Sequence, residues 1–141
     1  MTTESKTEAK VFSFLDEGVR SGTGDLVLPG SEALSGVIKR YAEGGENKIH
    51  CHPREDHTFY ILEGEATFRL DQDEKVVVAG THEAVFLPRG TYYWFESSGD
   101  TKLIMLRVGT EQRSDRSDLA GAHIPSRRAN AERAPVRDLP F

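Results

Sequence analysis

Gly44-Gly45-Glu46-Asn47-Lys48-Ile49-His50-Cys51-His52-Pro53-Arg54-Glu55-Asp56-His57, followed after six intervening residues by Gly64, is the stretch that decides the fold. It places three imidazoles within eight residues. Side chains of a β-strand alternate between faces with a period of two, so His50 and His52 share a face and could grip one ion. His57 lies far enough along for the chain to bend and bring a third imidazole back. Three nitrogen donors with open positions are what a catalytic metal requires. The plainer reading, three ordinary polar residues on an exposed turn, leaves the spacing unexplained. Alternation also turns Cys51 away from a site built by its neighbours, which suits a small buried residue better than a ligand.

Outward from this stretch, short apolar runs are cut by turn residues. They are 26–28, 35–41, 58–62, 66–70, 76–78, 83–87, 92–95 and 103–108, separated by Pro29-Gly30, Gly44-Gly45, Glu63-Gly64, Asp71-Gln72-Asp73, Pro88-Arg89-Gly90 and Ser97-Ser98-Gly99-Asp100. Runs rich in Val, Ile, Thr, Phe and Tyr at this spacing predict an all-β sandwich or barrel. No segment before residue 108 has a helical period with caps. Residues 1–10 carry no large apolar side chain after Met1 and are expected to be a flexible arm, with the packed domain over 11–109.

From 110 to 141 the character changes: Gly109 to Phe141 holds six arginines, five acids and three prolines. One reading is a solvated tail, with a short helix over 126–133. The other is an arm that packs across the barrel or a partner subunit, anchored by Ile124, Val136, Leu139 and Phe141 and paired through arginine forks.

A chain of 141 residues has the size of one domain and can bury a core. With 23 acidic against 18 basic side chains, it has no nucleic-acid footprint. The only cysteine, Cys51, forms no internal disulfide. The polar start has no signal core, and no stretch approaches a membrane span, so a cytoplasmic protein without membrane partners is expected.

The spacing resembles the first motif of the cupin family, and the resemblance covers roughly residues 35–108. That motif runs Gly, five residues, His-x-His, three or four residues, Glu, six residues, Gly. Here Gly44, His50, His52 and Gly64 keep their places and His57 stands where the glutamate would be. The second motif ends in Pro-x-Gly-x-x-His, and this chain has Pro88-Arg89-Gly90-Thr91-Tyr92-Tyr93, with tyrosine at the last position. The opening glycine of that motif is replaced by His82. The resemblance implies a double-stranded β-helix, or jelly roll, with an N-terminal arm and an irregular C-terminal tail. It implies a divalent metal, Fe(II) favoured over Zn(II), Mn(II) or Ni(II), at His50, His52, His57 and Tyr93. A homodimer is the assembly that it implies.

Alternation extends the site. If His50 and His52 point inward, His57 does too, with Phe59 and Ile61 behind it; Tyr93 and Phe95 share a face, as do Leu103, Met105 and Arg107. Tyr93 is either a ligand, a proton donor, or a core tyrosine bonded to backbone. A phenol with a pKa near ~10 ionises only with help, which a dication supplies. An inward Arg107 needs an anionic partner; otherwise it reaches solvent at the strand end. Arg107 or Arg40 would offset substrate charge, while Phe59, Phe68, Phe95 and Met105 would shape the pocket.

The function expected is a metal-dependent small-molecule enzyme, foremost an oxygenase acting on a diketone, phenol or hydroxy-acid. One alternative is a non-oxidative lyase, isomerase or cyclase with Tyr93 as acid and base. The other is a non-catalytic ligand-binding barrel.

Overall fold

A computed structural model describes residues 9–46, 48–71, 74–110, 116–124 and 131–138. Along the chain run β1 (Lys10–Phe12), α1 (Glu17–Ser21), β2 (Gly24–Val27), β3 (Ser35–Tyr41), β4 (Gly44–Gly45), β5 (His50–Cys51), β6 (His57–Glu63) and β7 (Glu65–Leu70). They are followed by β8 (Lys75–Gly80), β9 (Ala84–Leu87), β10 (Tyr93–Ser97), β11 (Leu103–Gly109), β12 (Ser117–Asp118), β13 (Glu132–Arg133) and β14 (Val136–Asp138). One sheet has the order β13-β2-β3-β11-β6-β9 and the other β12-β5-β10-β7-β8, with β4 also on β10. Neighbours separated in sequence make this a jelly roll, as the motif spacing implied. Each of the eight predicted runs overlaps a strand, with Leu28, Glu83 and Tyr92 lying just outside theirs.

Between the sheets pack Phe59, Phe68, Phe95, Leu103 and Met105, joined by Ile61 from β6. A second core lies on the outer face of the first sheet, where Leu26, Ile38 and Ile104 meet Val19 of α1 and Ala134. This cover explains why β3 and β11 read as near-continuous apolar runs: both faces are buried, so alternation is lost. Arg40 belongs to this outer side. Its guanidinium donates to the carbonyls of Val19, Thr23 and Gly24 and pairs with Glu132 at 2.8 Å. It therefore ties α1 and β13 to β3 and does not reach the interior, contrary to its expected role at the substrate.

Two segments differ from expectation. Helix α1 spans a single turn, too short to show a period; Asp16 caps it by accepting from Val19 N at 3.0 Å. The helix expected over 126–133 does not form at its C-terminal end, because Glu132 and Arg133 run parallel to β2 as β13. Residues 126–130, Leu139 and Phe141 lie outside the described residues. Lys10, expected in the flexible arm, pairs with Asp138 across β1 and β14. Among the described residues beyond Gly109, β12 and β13 join the two sheets and β14 pairs with β1, as the arm reading expects of these segments.

Gly64 and His82 form a contrast at the motif glycine positions. Gly64 has φ +84°, and a Cβ there would stand 2.6 Å from Lys102 O, so the turn between β6 and β7 admits no side chain. His82, where the second motif has glycine, also adopts a left-handed φ of +72°, but it is exposed. A non-glycine residue there costs roughly 1–2 kcal/mol, while glycine loses about 0.5–1 kcal/mol more entropy on folding. His82→Gly is thus expected to leave stability unchanged or raise it by up to about 1 kcal/mol. A thermal melt showing a clear loss would contradict this.

Candidate metal centre

The strand positions bring the motif residues to one end of the barrel interior. β10 is the pivot: Tyr93 lies opposite His50 on one side and Leu70 of β7 on the other. The Tyr93 ring packs on that of His50 with centroids 4.5 Å apart. His52 lies 4.3 Å from His57 and 5.2 Å from His50, ring to ring. After His52 the chain turns through Pro53-Arg54 and enters β6 at His57, whose ring sits close to Gly109. All three imidazoles and Tyr93 are therefore brought together.

The turn delivers a fourth group that motif spacing had not marked. Glu55 is 1% exposed, and His57 Nε2 stands 2.9 Å from its Oε1. One ligand atom each of His52, Glu55 and His57 lie within 4.8 Å of one another, a group that could hold a divalent metal ion. This candidate group holds two of the three expected histidines and adds a carboxylate. Parity would have found Glu55, since it is two residues before His57 and shares the inward phase of Phe59 and Ile61.

His50 stands beside this group. Its Nδ1–H donates to Lys48 O at 3.0 Å, which leaves a lone pair on Nε2. That Nε2, like Nδ1 of His52, is buried with no hydrogen-bond partner among the described residues. A ligand histidine typically has one nitrogen fixed by a carbonyl and the other open. Burial holds both imidazoles below their ordinary pKa, and His52, further depressed by nearby positive groups, falls to about 2. They are neutral at pH 7, the state in which an imidazole binds metal. The residues present fit a divalent ion.

Arg107 points inward at 4% exposure, the first of its two alternatives. Its Nη2 donates to Ser35 Oγ at 3.1 Å, and its Nη1 lies 3.5 Å from His57 Nε2. The shorter His57–Glu55 contact takes the Nε2 proton, so the guanidinium acts on that pair by charge rather than by a hydrogen bond. Tyr93 is held well above the usual phenol range, by burial and then by the Glu46 carboxylate, with Arg107 opposing. It keeps its proton at neutral pH. Cys51 is buried and is not in the candidate ligand group.

A narrow crevice with no room for a water molecule reaches the group, lined by His52, Glu55, His57, Leu87, Pro88, Thr91 and Tyr93. Phe59, Phe68, Phe95 and Met105 are fully buried against one another and do not line it, so they form the packed base of the site and not its pocket walls. A larger surface cleft of about 590 Å³ lies between α1, β1 and β14. The candidate metal group lies at the crevice.

The two depressed imidazoles fix a pH dependence for the metal-free protein. Below pH 6.5 the unfolded chain takes up protons that the folded protein refuses, so stability falls as pH drops. The slope is up to about 1.4 kcal/mol per pH unit for each imidazole. Urea unfolding in chelator between pH 7 and 5 reads it, and His52→Gln should remove one such proton from the slope.

The Cupin domain family model matches residues 37–109, just over half of the chain. None of the curated proteins is similar enough in sequence to count as a match. A Klebsiella pneumoniae protein with a double-stranded β-helix domain superposes with a TM-score of 0.60 at 18% identity, covering 70% of this chain and 86% of that one. A Bacillus halodurans protein gives 0.61 at 17%, covering 67% and 74%. Bacillus subtilis oxalate decarboxylase, a protein with Mn(II) centres, gives 0.55 at 16%; 63% of this chain matches only 24% of that one. At these identities the likeness is one of fold alone. Among the described residues no helix is long and apolar enough to cross a membrane.

Proposed function

Because the chain belongs to the cupin family, we propose that it is a metal-dependent enzyme acting on a compact, oxygen-rich substrate, with oxygenation as the favoured reaction. The observation that carries this reading is the clustering of His52, Glu55 and His57 beneath a crevice that Tyr93 also lines. His52, Glu55 and His57 would hold the ion, with His50 Nε2 as a fourth donor. Two histidines and a carboxylate suit Fe(II), with Mn(II), Ni(II) or Zn(II) as alternatives. Such an ion supplies Lewis acidity toward a substrate oxygen and, as Fe(II), a partner for dioxygen.

The chain's own residues supply the rest. Leu87 and Pro88 give the crevice apolar walls that limit water. Tyr93 presents a phenol proton, and Arg107 balances the negative charge of Glu55. Oxygen uptake by the Fe(II)-loaded protein with small hydroxy-acids and diketones tests the oxygenase. Equal product formation without oxygen would exclude it.

A second reading rests on Tyr93 itself. A buried, protonated phenol beside a metal group suits a lyase, isomerase or cyclase that moves a proton. Tyr93→Phe is then expected to lower turnover by about 100-fold or more with metal content unchanged. Loss of the metal would make Tyr93 a ligand instead. Less than a small fraction of one ion per chain after growth with supplied metals would favour a ligand-binding module. Assembly as a homodimer belongs to the same proposal, since β9 ends its sheet with Phe86 exposed. A monomer mass by light scattering would exclude it.

A further inference from the structure

Among the buried polar atoms without a hydrogen-bond partner, three belong to neighbouring side chains around His50: His50 Nε2, Glu46 Oε1 and Arg116 Nε. Glu46 Oε1 is 3.5 Å from His50 Nε2. Arg116 comes from outside the residues that match the family. It leads into β12, which lies antiparallel on β5 with Ser117 opposite Cys51 and Asp118 opposite His50. Residues 116–124 form a strap closed on itself: Ile124 N donates to Arg116 O at 2.7 Å and Asp118 N to Ala122 O at 3.1 Å. Asp118 Oδ1 accepts from Ala120 N and Ala122 N, both at 3.0 Å, and its carboxylate reaches Lys48 at 3.5 Å. Without the strap, the two-residue strand carrying His50 would be a sheet edge.

The strap inserts Arg116, whose side chain is 12% exposed, against the histidine. Its Nη2 lies 3.4 Å from His50 Nδ1 and 4.0 Å from Glu46 Oε2. The Nδ1 proton is already given to Lys48 O, so Arg116 bounds the ring without a hydrogen bond. On its other side Glu46 Oε2 lies 3.9 Å from Lys39 Nζ, which is paired with Asp25 at 3.2 Å. Two cations and two carboxylates balance, so the cluster has no net charge with which to recruit an ion or an anion. What it does is fix the positions of its members. The His50 ring is held between Tyr93 and Arg116, and Glu46 is held between Arg116 and Lys39.

We propose that Arg116 is a positioning residue of the metal centre, carried by the strap 116–124, which holds Glu46 and the His50 ring so that Nε2 stays available as the fourth donor. This rests on the metal-centre reading above. The test is titration of the full-length chain with cobalt(II), following its visible absorption, for wild type, Arg116→Gln and Asp118→Ala. Loss of a residue that orients a metal ligand costs about 10–100-fold in affinity. Arg116→Gln is expected to weaken cobalt(II) binding by that factor and to alter the absorption bands, while the circular dichroism of the metal-free protein is unchanged. Asp118→Ala, which frees the strap with Arg116 intact, should shift affinity the same way by a smaller factor. Wild-type affinity and bands in Arg116→Gln would overturn the proposal, as would tighter binding, the result if Arg116 acted only by repelling the ion. If Arg116→Gln does not fold, Asp118→Ala decides by the same criterion. A wild-type chain that binds no cobalt(II) sinks the metal centre and the proposal together. Wild-type binding that is insensitive to both variants sinks only the proposal.

Discussion

Replacing Glu55 by glutamine is expected to lower divalent-metal affinity by about 100-fold or more, since even residues that only orient a ligand contribute 10–100-fold. The substitution keeps the volume of a side chain that is 1% exposed, so the turn into β6 should survive. What it removes is the negative charge of the ligand group that includes His52 and His57. An amide oxygen is a poorer donor to a dication, and a glutamine can still pair with His57 in place of the carboxylate. The outcome therefore separates two roles. If affinity falls while the melt of the metal-free protein is preserved, Glu55 is a ligand. If affinity is unchanged, Glu55 serves only as the partner of His57.

Arg107→Met is expected to be the most destabilising substitution at the site, costing about 3–5 kcal/mol, the usual result of removing one member of a buried charged set. Arg107 is inward on β11, bonded to Ser35 Oγ and set beside the His57–Glu55 pair. Methionine fills much of its volume but supplies no charge, so Glu55 is left in the interior with less compensation. A loss of this size corresponds to a fall on the order of 10 °C in Tm. Adding Glu55→Gln to the same chain should recover part of it, because the stranded charge is then gone. Urea unfolding of the metal-free variants measures both terms. A loss below about 1 kcal/mol for Arg107→Met would show that the guanidinium is not needed to balance the interior.

The motif spacing made the fold legible because a jelly roll needs its turns where Gly44, Gly64 and Gly90 stand, all at positive φ. Alternation then placed His57, Phe59, Ile61, Tyr93, Phe95, Leu103, Met105 and Arg107 inward, and they are all buried. It failed at β3, where Val37 and Ile38 are equally apolar because each face meets a core. Parity there could not show that Lys39 lies by Glu46 and that Arg40 faces outward. Glu55 escaped for another reason: Pro53 and Arg54 form a turn, and motif spacing directed attention to His57. Glu46 and Arg116 meet across seventy residues of chain. Such a contact is set by the pairing of β12 with β5, two strands of two residues each, too short to leave a pattern.

Tyr93 keeps both of its readings. In the metal-free protein burial and then the Glu46 carboxylate hold its proton on. A dication at bonding distance lowers a phenol pKa, so the metal content of Tyr93→Phe separates the proton donor from the ligand.

The central claim is that one divalent ion is held by His52, Glu55 and His57. Crystals grown with Mn(II) and measured for anomalous scattering test it most directly. The account predicts a single strong peak per chain at bonding distance, about 2.0–2.3 Å, from a nitrogen of His52 and of His57 and a carboxylate oxygen of Glu55. A peak bonded to other residues, or no peak at these three in protein saturated with the metal, would contradict it.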